Sequence, residues 1–162
     1  MIRRVYFLRH GKALSRADWD ADDELRPLTE DGEALLRAGA RAMKRWAPDV
    51  DVIVTSPLVR ARRTADIVAE ELDLGARVVE DARLAPGFDL RRLAKIVAGR
   101  AGDAAVLVVG HEPDFSETIS AAIGGGRVAM KKGALARVDF SGPDLANGVL
   151  AWLVTPAQSA GE

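Results

Sequence analysis

The two histidines of this 162-residue chain, His10 and His111, both stand where an apolar run stops. "VYFL" leads straight into Arg9, His10 and Gly11, and "AVLVVG" into His111 and Glu112. A neutral imidazole near pH 7 serves as nucleophile, acid, base or metal ligand. Taken alone, a histidine at a strand end is ordinarily structural or solvated. Here each has company: Arg9 precedes the first, and a third apolar run, "VDVIV", ends in Thr55 and Ser56 with Arg60 one helical turn further along the chain. Guanidinium groups repel a cation and no carboxylate cluster accompanies them, so the set does not read as a metal site. It reads as an anion site. Arginine's planar fork matches phosphate oxygens bidentately and keeps its charge at any accessible pH. A phosphoryl group held between Arg9 and Arg60 could be attacked by an imidazole placed in line with phosphorus.

Several neighbours carry two readings each. Arg60 shares its stretch with Arg62 and Arg63, and spacing alone does not say which of the three points inward. Thr64, one turn beyond Arg60, shares its face and either supports the guanidinium or simply packs. Gly11 is a turn residue or a side-chain-free position that lets a phosphate approach the backbone. Asp114 reads as a helix cap rather than a catalyst. Lys131 and Lys132 read as solvated loop residues, with a reach to a charged substrate as the alternative.

The elements that must position these residues alternate along the chain. Strand-like runs occupy Val5 to Leu8, Val50 to Val54, Arg77 to Val79, Ala105 to Val109, Ala134 to Phe140 and Gly148 to Val154. Thr29 is placed to cap a helix with Glu30 and Asp31 in its first turn and apolar spacing at Leu35, Leu36, Ala40 and Met43. Ser56 followed by Pro57 predicts a second helix, reaching about Leu72. Leu90 to Val97 predicts a third, and Phe115 to Ile123 a fourth, with capping-box spacing at Asp114 and Glu117 and a stop at Gly124 to Gly126. Strand and helix in alternation imply a mainly parallel sheet covered on both faces. The last two strands, joined by the turn-rich "SGPDLANG", read as antiparallel to each other. In such sheets ligands collect beyond the carboxyl ends of the parallel strands, so the three loaded strand ends should meet at one edge.

Composition bounds what remains. With 48% hydrophobic and 29% charged residues, the length suits a single domain over residues 1–155, with 156–162 as a flexible tail frayed from Thr155 onward. The net charge of −1 gives no surface for nucleic acid, so any pull on phosphate must be local. There are no cysteines, which removes disulfides and thiolate metal sites and suits a reducing compartment. The apolar stretch behind Arg3 and Arg4 is too short for a secretory segment or a membrane span, so a soluble cytoplasmic protein without membrane partners is expected.

"LRHGKA", "SPLVRARRTA" and "VVGHEPDFS", in this order at these strand ends, resemble the histidine phosphatase superfamily, which includes the phosphoglycerate mutase-like enzymes. The short length, "RPLTEDG" ahead of the first long helix and "MKKGALARVDF" after the glycine run resemble its SixA-type phosphohistidine phosphatase branch. The resemblance covers nearly the whole chain. It implies a three-layer α/β/α sandwich around a mostly parallel mixed sheet of about six strands, one of them antiparallel. It implies that His10 becomes phosphorylated, that Arg9 and Arg60 bind the phosphoryl oxygens, and that His111 completes the pocket. No metal or cofactor is implied.

One departure bears on the substrate. Mutase-like relatives place a glutamate, as general acid, shortly after a segment resembling "EDARL", where this chain has Ala85 and Pro86. An alcohol leaving group needs that proton; an imidazole protonated on its distal nitrogen leaves as a neutral molecule without it. Between Thr64 and His111 there is room for a helix, a strand and a second helix, with no insertion to form a lid. The expectation is a phosphohistidine phosphatase acting on a protein such as a histidine-containing phosphotransfer domain. A small-molecule phosphomonoesterase, with Glu112 or Asp114 as acid, is the alternative, and a non-catalytic phosphate-binding module is a third reading.

Overall fold

A sheet whose strands are apolar on both sides must be covered twice, and the chain achieves this with helices on each face. The computed structural model describes residues 3–100, 103–142, 144, 145 and 147–161. Its strands are β1 (Arg3–Arg9), β2 (Val52–Thr55), β3 (Val78–Glu80), β4 (Ala105–Gly110), β5 (Leu135–Phe140) and β6 (Val149–Val154). The helices are α1 (Glu30–Trp46), α2 (Val59–Leu72), α3 (Leu90–Ala98), α4 (Asp114–Ala122) and a short α5 (Pro156–Ala160). The six strands form one sheet in the order β3-β2-β4-β1-β5-β6. β1 to β4 run parallel, and β5 is antiparallel to both β1 and β6, which makes it the one reversed strand of the six. The expected three-layer architecture is the one observed.

Alternation within each strand sorts the core into two halves. Val5 and Phe7 of β1, with Val106 and Val108 of β4, pack against Leu93 and Ile96 of α3 and Phe115 and Ile119 of α4. Tyr6, Leu8, Leu107 and Val109 face the other way, onto Ala40 and Met43 of α1 and Ala61, Ala65 and Val68 of α2. β1 and β4 are neighbours, yet the helices that come after them, α1 and α4, lie on opposite faces. That arrangement is a topological switch point, and it opens a crevice beyond the carboxyl ends of these two strands.

Differences from the sequence reading lie at helix ends. Thr29 caps α1 as expected, accepting from Gly32 N at 3.0 Å. The second helix begins at Val59, not next to Ser56, because the Ser56 hydroxyl accepts from Leu58 N at 3.3 Å and closes a turn of its own. The capping box at Asp114 and Glu117 does not form; α4 has no side-chain cap of that kind. Instead the Glu112 carboxylate takes Ser116 N at 2.9 Å. Residues expected as a frayed tail form α5, where Thr155 and Gln158 make a reciprocal capping box and Pro156 is buried against α1 at Gly39. Glu162 lies outside the described residues, as do Pro143 and Ala146 of the turn between β5 and β6. Among the described residues, no helix is long and apolar enough to cross a membrane.

Candidate active site

Strand register brings the two histidines together. β1 and β4 pair Arg9 with Gly110, so His10 and His111 are the next residues on adjacent parallel strands, about 4.8 Å apart. Their ring centroids lie 5.3 Å apart, with the planes at 56°. β2 pairs Thr55 with Val109, and Ser56 N continues that ladder to Val109 O at 3.0 Å, which places Ser56 on the other side of His111. The backbone of His10 is fixed at both groups: its N–H donates to Gly110 O at 3.1 Å, and its carbonyl accepts from Gly133 N at 3.0 Å.

Side-chain contacts set the ring tautomer of His10. Its Nδ1 lies 2.8 Å from Gly11 O, and a carbonyl only accepts, so Nδ1 carries the proton and Nε2 the lone pair in the neutral ring. His111 Nε2 lies 2.8 Å from Ser56 Oγ. Both histidines are almost fully buried. Burial pushes His10 down to about 3, against the pull of the Gly11 carbonyl and with help from the charges of His111, Arg60 and Arg9. Burial, followed by Arg60, pushes His111 down to about 4. Both rings are therefore neutral at physiological pH.

Of the three arginines on α2, Arg60 is the one that points inward, 4% exposed. Acids on α2 and on other elements explain why. Arg63 is held outside by Glu33 of α1 at 2.9 Å, and Arg62 by Asp66 at 2.9 Å and Glu80 of β3 at 3.0 Å. Arg60 instead donates from Nη1 to Asp23 O at 2.8 Å and from Nη2 to Asp23 Oδ2 at 3.0 Å. Arg9 donates from Nη1 to Met130 O at 2.8 Å. Thr64 supports neither guanidinium directly: its hydroxyl donates to Arg60 O at 2.7 Å and accepts from Gly11 N at 3.1 Å, tying α2 to the loop after β1.

Arg9, His10, Asp23, Arg60 and His111 line a pocket of about 670 Å³. Its cations are Arg9, Lys12, Arg16, Arg26, Arg60 and Lys132, against three carboxylates on Asp18, Asp23 and Glu112. In a chain of net charge −1 this is a concentrated positive wall. Among the described residues, the buried side-chain nitrogens and oxygens without a hydrogen-bond partner are five, and three belong to Arg9, Arg60 and His111. Unmet hydrogen-bonding capacity is thus gathered at this site. Among the described residues, no three His, Asp or Glu side chains stand together in a way that could hold a metal ion. What the arrangement can do is hold a phosphoryl anion between guanidiniums with an unprotonated imidazole nitrogen beside it.

Gly11 departs from the expectation that a phosphate approaches its backbone. It does not line the pocket; its N–H is taken by Thr64, and a Cβ there would fall 2.4 Å from Leu36 Cδ1. The missing side chain makes room for α1. Asp114 is also away from the pocket, its Oδ2 accepting from Gly87 N at 2.8 Å and Phe88 N at 3.1 Å. Glu112 does line it, with its carboxylate bonded to the Ser116 hydroxyl and amide. Lys132 lines the pocket and Lys131 does not.

The sequence reading missed Asp23 and the wall it belongs to. Residues between β1 and α1 form two short 3₁₀ turns, Arg16–Asp18 and Asp23–Leu25, pinned by a bridge between Ala13 and Leu28. Asp23 and Arg26 stand three residues apart, a spacing that could have suggested the local pair observed at 2.9 Å. Nothing local signalled Arg60, 37 residues away.

Residues 5–85 match the family model of the histidine phosphatase superfamily, branch 1. An uncharacterised protein of Picosynechococcus sp. is 41% identical over 117 residues, covering 70% of this chain and 68% of that protein. Phosphohistidine phosphatase SixA of Escherichia coli (strain K12) is 28% identical over 156 residues, 94% of each chain. In three dimensions, the protein histidine phosphatase SixA solved with tungstate is similar at a TM-score of 0.83 and 26% identity, covering 96% of this chain and 98% of that one. With its motif-bearing strand ends converging on one cationic pocket, the chain belongs to the histidine phosphatase superfamily and resembles its SixA-type branch.

Proposed function

We propose that the protein removes phosphate from a phosphorylated histidine of another protein, through a phospho-enzyme formed on His10. The observation that carries this reading is the pair of buried, neutral imidazoles 5.3 Å apart between Arg9 and Arg60 on one pocket. His10 Nε2 attacks phosphorus as its Nδ1–H donates to Gly11 O. The bond from phosphorus to the substrate imidazole breaks, and that ring, protonated on its distal nitrogen, leaves neutral. Arg9 and Arg60 hold the phosphoryl oxygens and His111 completes the oxyanion environment, which is where most of the rate in phosphoryl transfer arises. Positive charge on the phosphorylated ring is stabilised by the Gly11 carbonyl. Water then attacks phosphorus, the Nε2–P bond breaks, and the water's proton leaves with inorganic phosphate.

The leaving group is inferred from what flanks the pocket. Pro86, at the position where mutase-like relatives carry their acid, is one of its lining residues. Glu112, the remaining carboxylate next to His111, has both oxygens bonded to Ser116. That combination favours P–N over P–O substrates. The test is a panel of phosphohistidine protein, phosphoramidate and sugar phosphates without added metal, with acid-labile phospho-enzyme trapped from wild type and from His10→Ala. The expected result is turnover of P–N substrates and a trapped species that vanishes in the variant. Good hydrolysis of sugar phosphates, with phosphohistidine untouched, would overturn it.

The second reading, a small-molecule phosphomonoesterase, is favoured by one observation: Glu112 does reach the pocket wall. On that reading Glu112→Gln removes the basic limb of the rate profile; on ours the profile is unchanged.

A further inference from the structure

A second pocket, of about 400 Å³, adjoins the first, and Arg9, Lys12 and Lys132 line both. The two differ in character. Leu36, Gly133 and Pro156 give the second a buried apolar floor, and Leu35, 37% exposed on α1, extends it toward solvent. Gly133, at φ +74°, leaves this floor open: a Cβ there would fall 2.6 Å from Pro156 Cγ. Around it stand three exposed ammonium groups, Lys12, Lys131 and Lys132. Among the described residues, none of these ammonium groups makes a hydrogen bond or ion pair, and no carboxylate lines the pocket. The neighbouring surface of α1 and α2 is different: its Arg37, Arg41 and Arg63 are matched by Glu33, Glu70 and Glu71.

An apolar floor inside an unmatched cationic rim suits an apolar side chain with carboxylates beside it. A small phosphate would fill the first pocket and find little to bond in the second. A macromolecule that presents its phosphate to the first pocket must lay neighbouring surface over the second, because the two share a wall.

We propose that this pocket docks the protein that carries the phosphorylated histidine, taking one exposed apolar side chain flanked by acidic residues next to the phosphorylation site. This rests on the phosphoprotein reading above and adds where the partner's affinity comes from. Rim charges act mainly on association, and the apolar contact on residence.

The test uses Leu35→Glu and Lys131→Glu, which lie outside the phosphate-holding pocket. The probes are a histidine-containing phosphotransfer domain phosphorylated chemically on its histidine, and the free amino acid phosphohistidine. Each variant should lower kcat/KM for the phosphoprotein roughly tenfold or more, steeply so at low salt, and leave free phosphohistidine within about twofold. Sedimentation should stay that of the wild type. Equal loss on both probes, no loss on either, or a changed assembly state without a selective loss would overturn the docking site. Wild-type protein that cleaves free phosphohistidine but not the phosphoprotein would overturn the phosphoprotein reading itself.

Discussion

Replacing both histidines should make the fold more resistant to acid, even though it destroys the site. Burial holds His10 at about 3 and His111 at about 4, while an unfolded histidine titrates near 6.5. Above pH 6.5 neither state takes up the proton, and titration costs the fold nothing. As pH falls below 6.5, the unfolded chain binds protons that the folded rings refuse, so stability is lost progressively down to the folded pKa values. At pH 5 an unfolded histidine is about thirtyfold protonated over neutral, which is worth about 2 kcal/mol per ring and roughly 4 kcal/mol for the pair. The chain has no other histidine. Urea denaturation of wild type and of His10→Asn/His111→Asn at pH 7, 6 and 5, in a buffer free of phosphate, isolates this contribution as a difference, because the carboxylates are common to both. The wild type should lose about 4 kcal/mol more than the variant between pH 7 and 5. The two ring C2–H resonances should also stay put over that range. Parallel stability curves, or a ring titrating near 6.5, would show that the imidazoles are not held neutral by burial.

Thr64→Val leaves the buried Gly11 N–H without an acceptor and should cost about 1–3 kcal/mol in urea denaturation; a cost below about 0.5 kcal/mol would refute the tie. Asp23→Asn removes one negative charge beside Arg60 while keeping an oxygen for it, so inorganic phosphate should inhibit more strongly, with Ki lower by roughly two- to fivefold, the scale of a partly exposed charge. Unchanged or weaker inhibition would contradict Asp23 as an opponent of bound anion. Thr155→Ala breaks the reciprocal cap of α5 and should lower Tm by about 2–4 °C; an unaltered melt would restore the tail reading.

The strand ends were legible because an apolar run that stops in Arg9-His10 or His111-Glu112 leaves polar groups where a sheet edge must be. The alternation of elements implied that these ends share one edge; the pairing of β1 with β4, which makes the two histidines neighbours, came from the structure. Legibility failed where the deciding partner is distant in sequence. Arg60, Arg62 and Arg63 look alike along the chain; Asp66 gives Arg62 a partner four residues on, but Glu33 and Glu80 from other elements, with Glu70 at the far end of α2, complete the sorting. Ser56 reads as a cap from its neighbour Pro57, yet its hydroxyl serves His111, 55 residues on. Gly11 invites a ligand-based explanation; the structure gives a packing one, since Leu36 occupies the space. In α5, propensity over five residues is too little to decide helix against tail, and burial of Pro156 against α1 decides it.

The proposed mechanism, in which cations bind an anion and an imidazole attacks it, meets an electrostatic conflict that the geometry of the pocket resolves. A histidine in water near so reactive a position would be partly protonated at neutral pH and so partly disarmed. Here the groups proposed to hold the phosphoryl group, Arg9 and Arg60, also disfavour a proton on His10 and His111, in the same direction as burial. The free protein therefore keeps Nε2 of His10 unprotonated. Arrival of a dianion offsets most of the local positive charge, which raises the proton affinity of both rings only once phosphorus is in reach. On the proposed mechanism that timing matters at each half-reaction: His10 gains positive charge as it is phosphorylated, and the Gly11 carbonyl already bonded to its Nδ1–H is there to meet it.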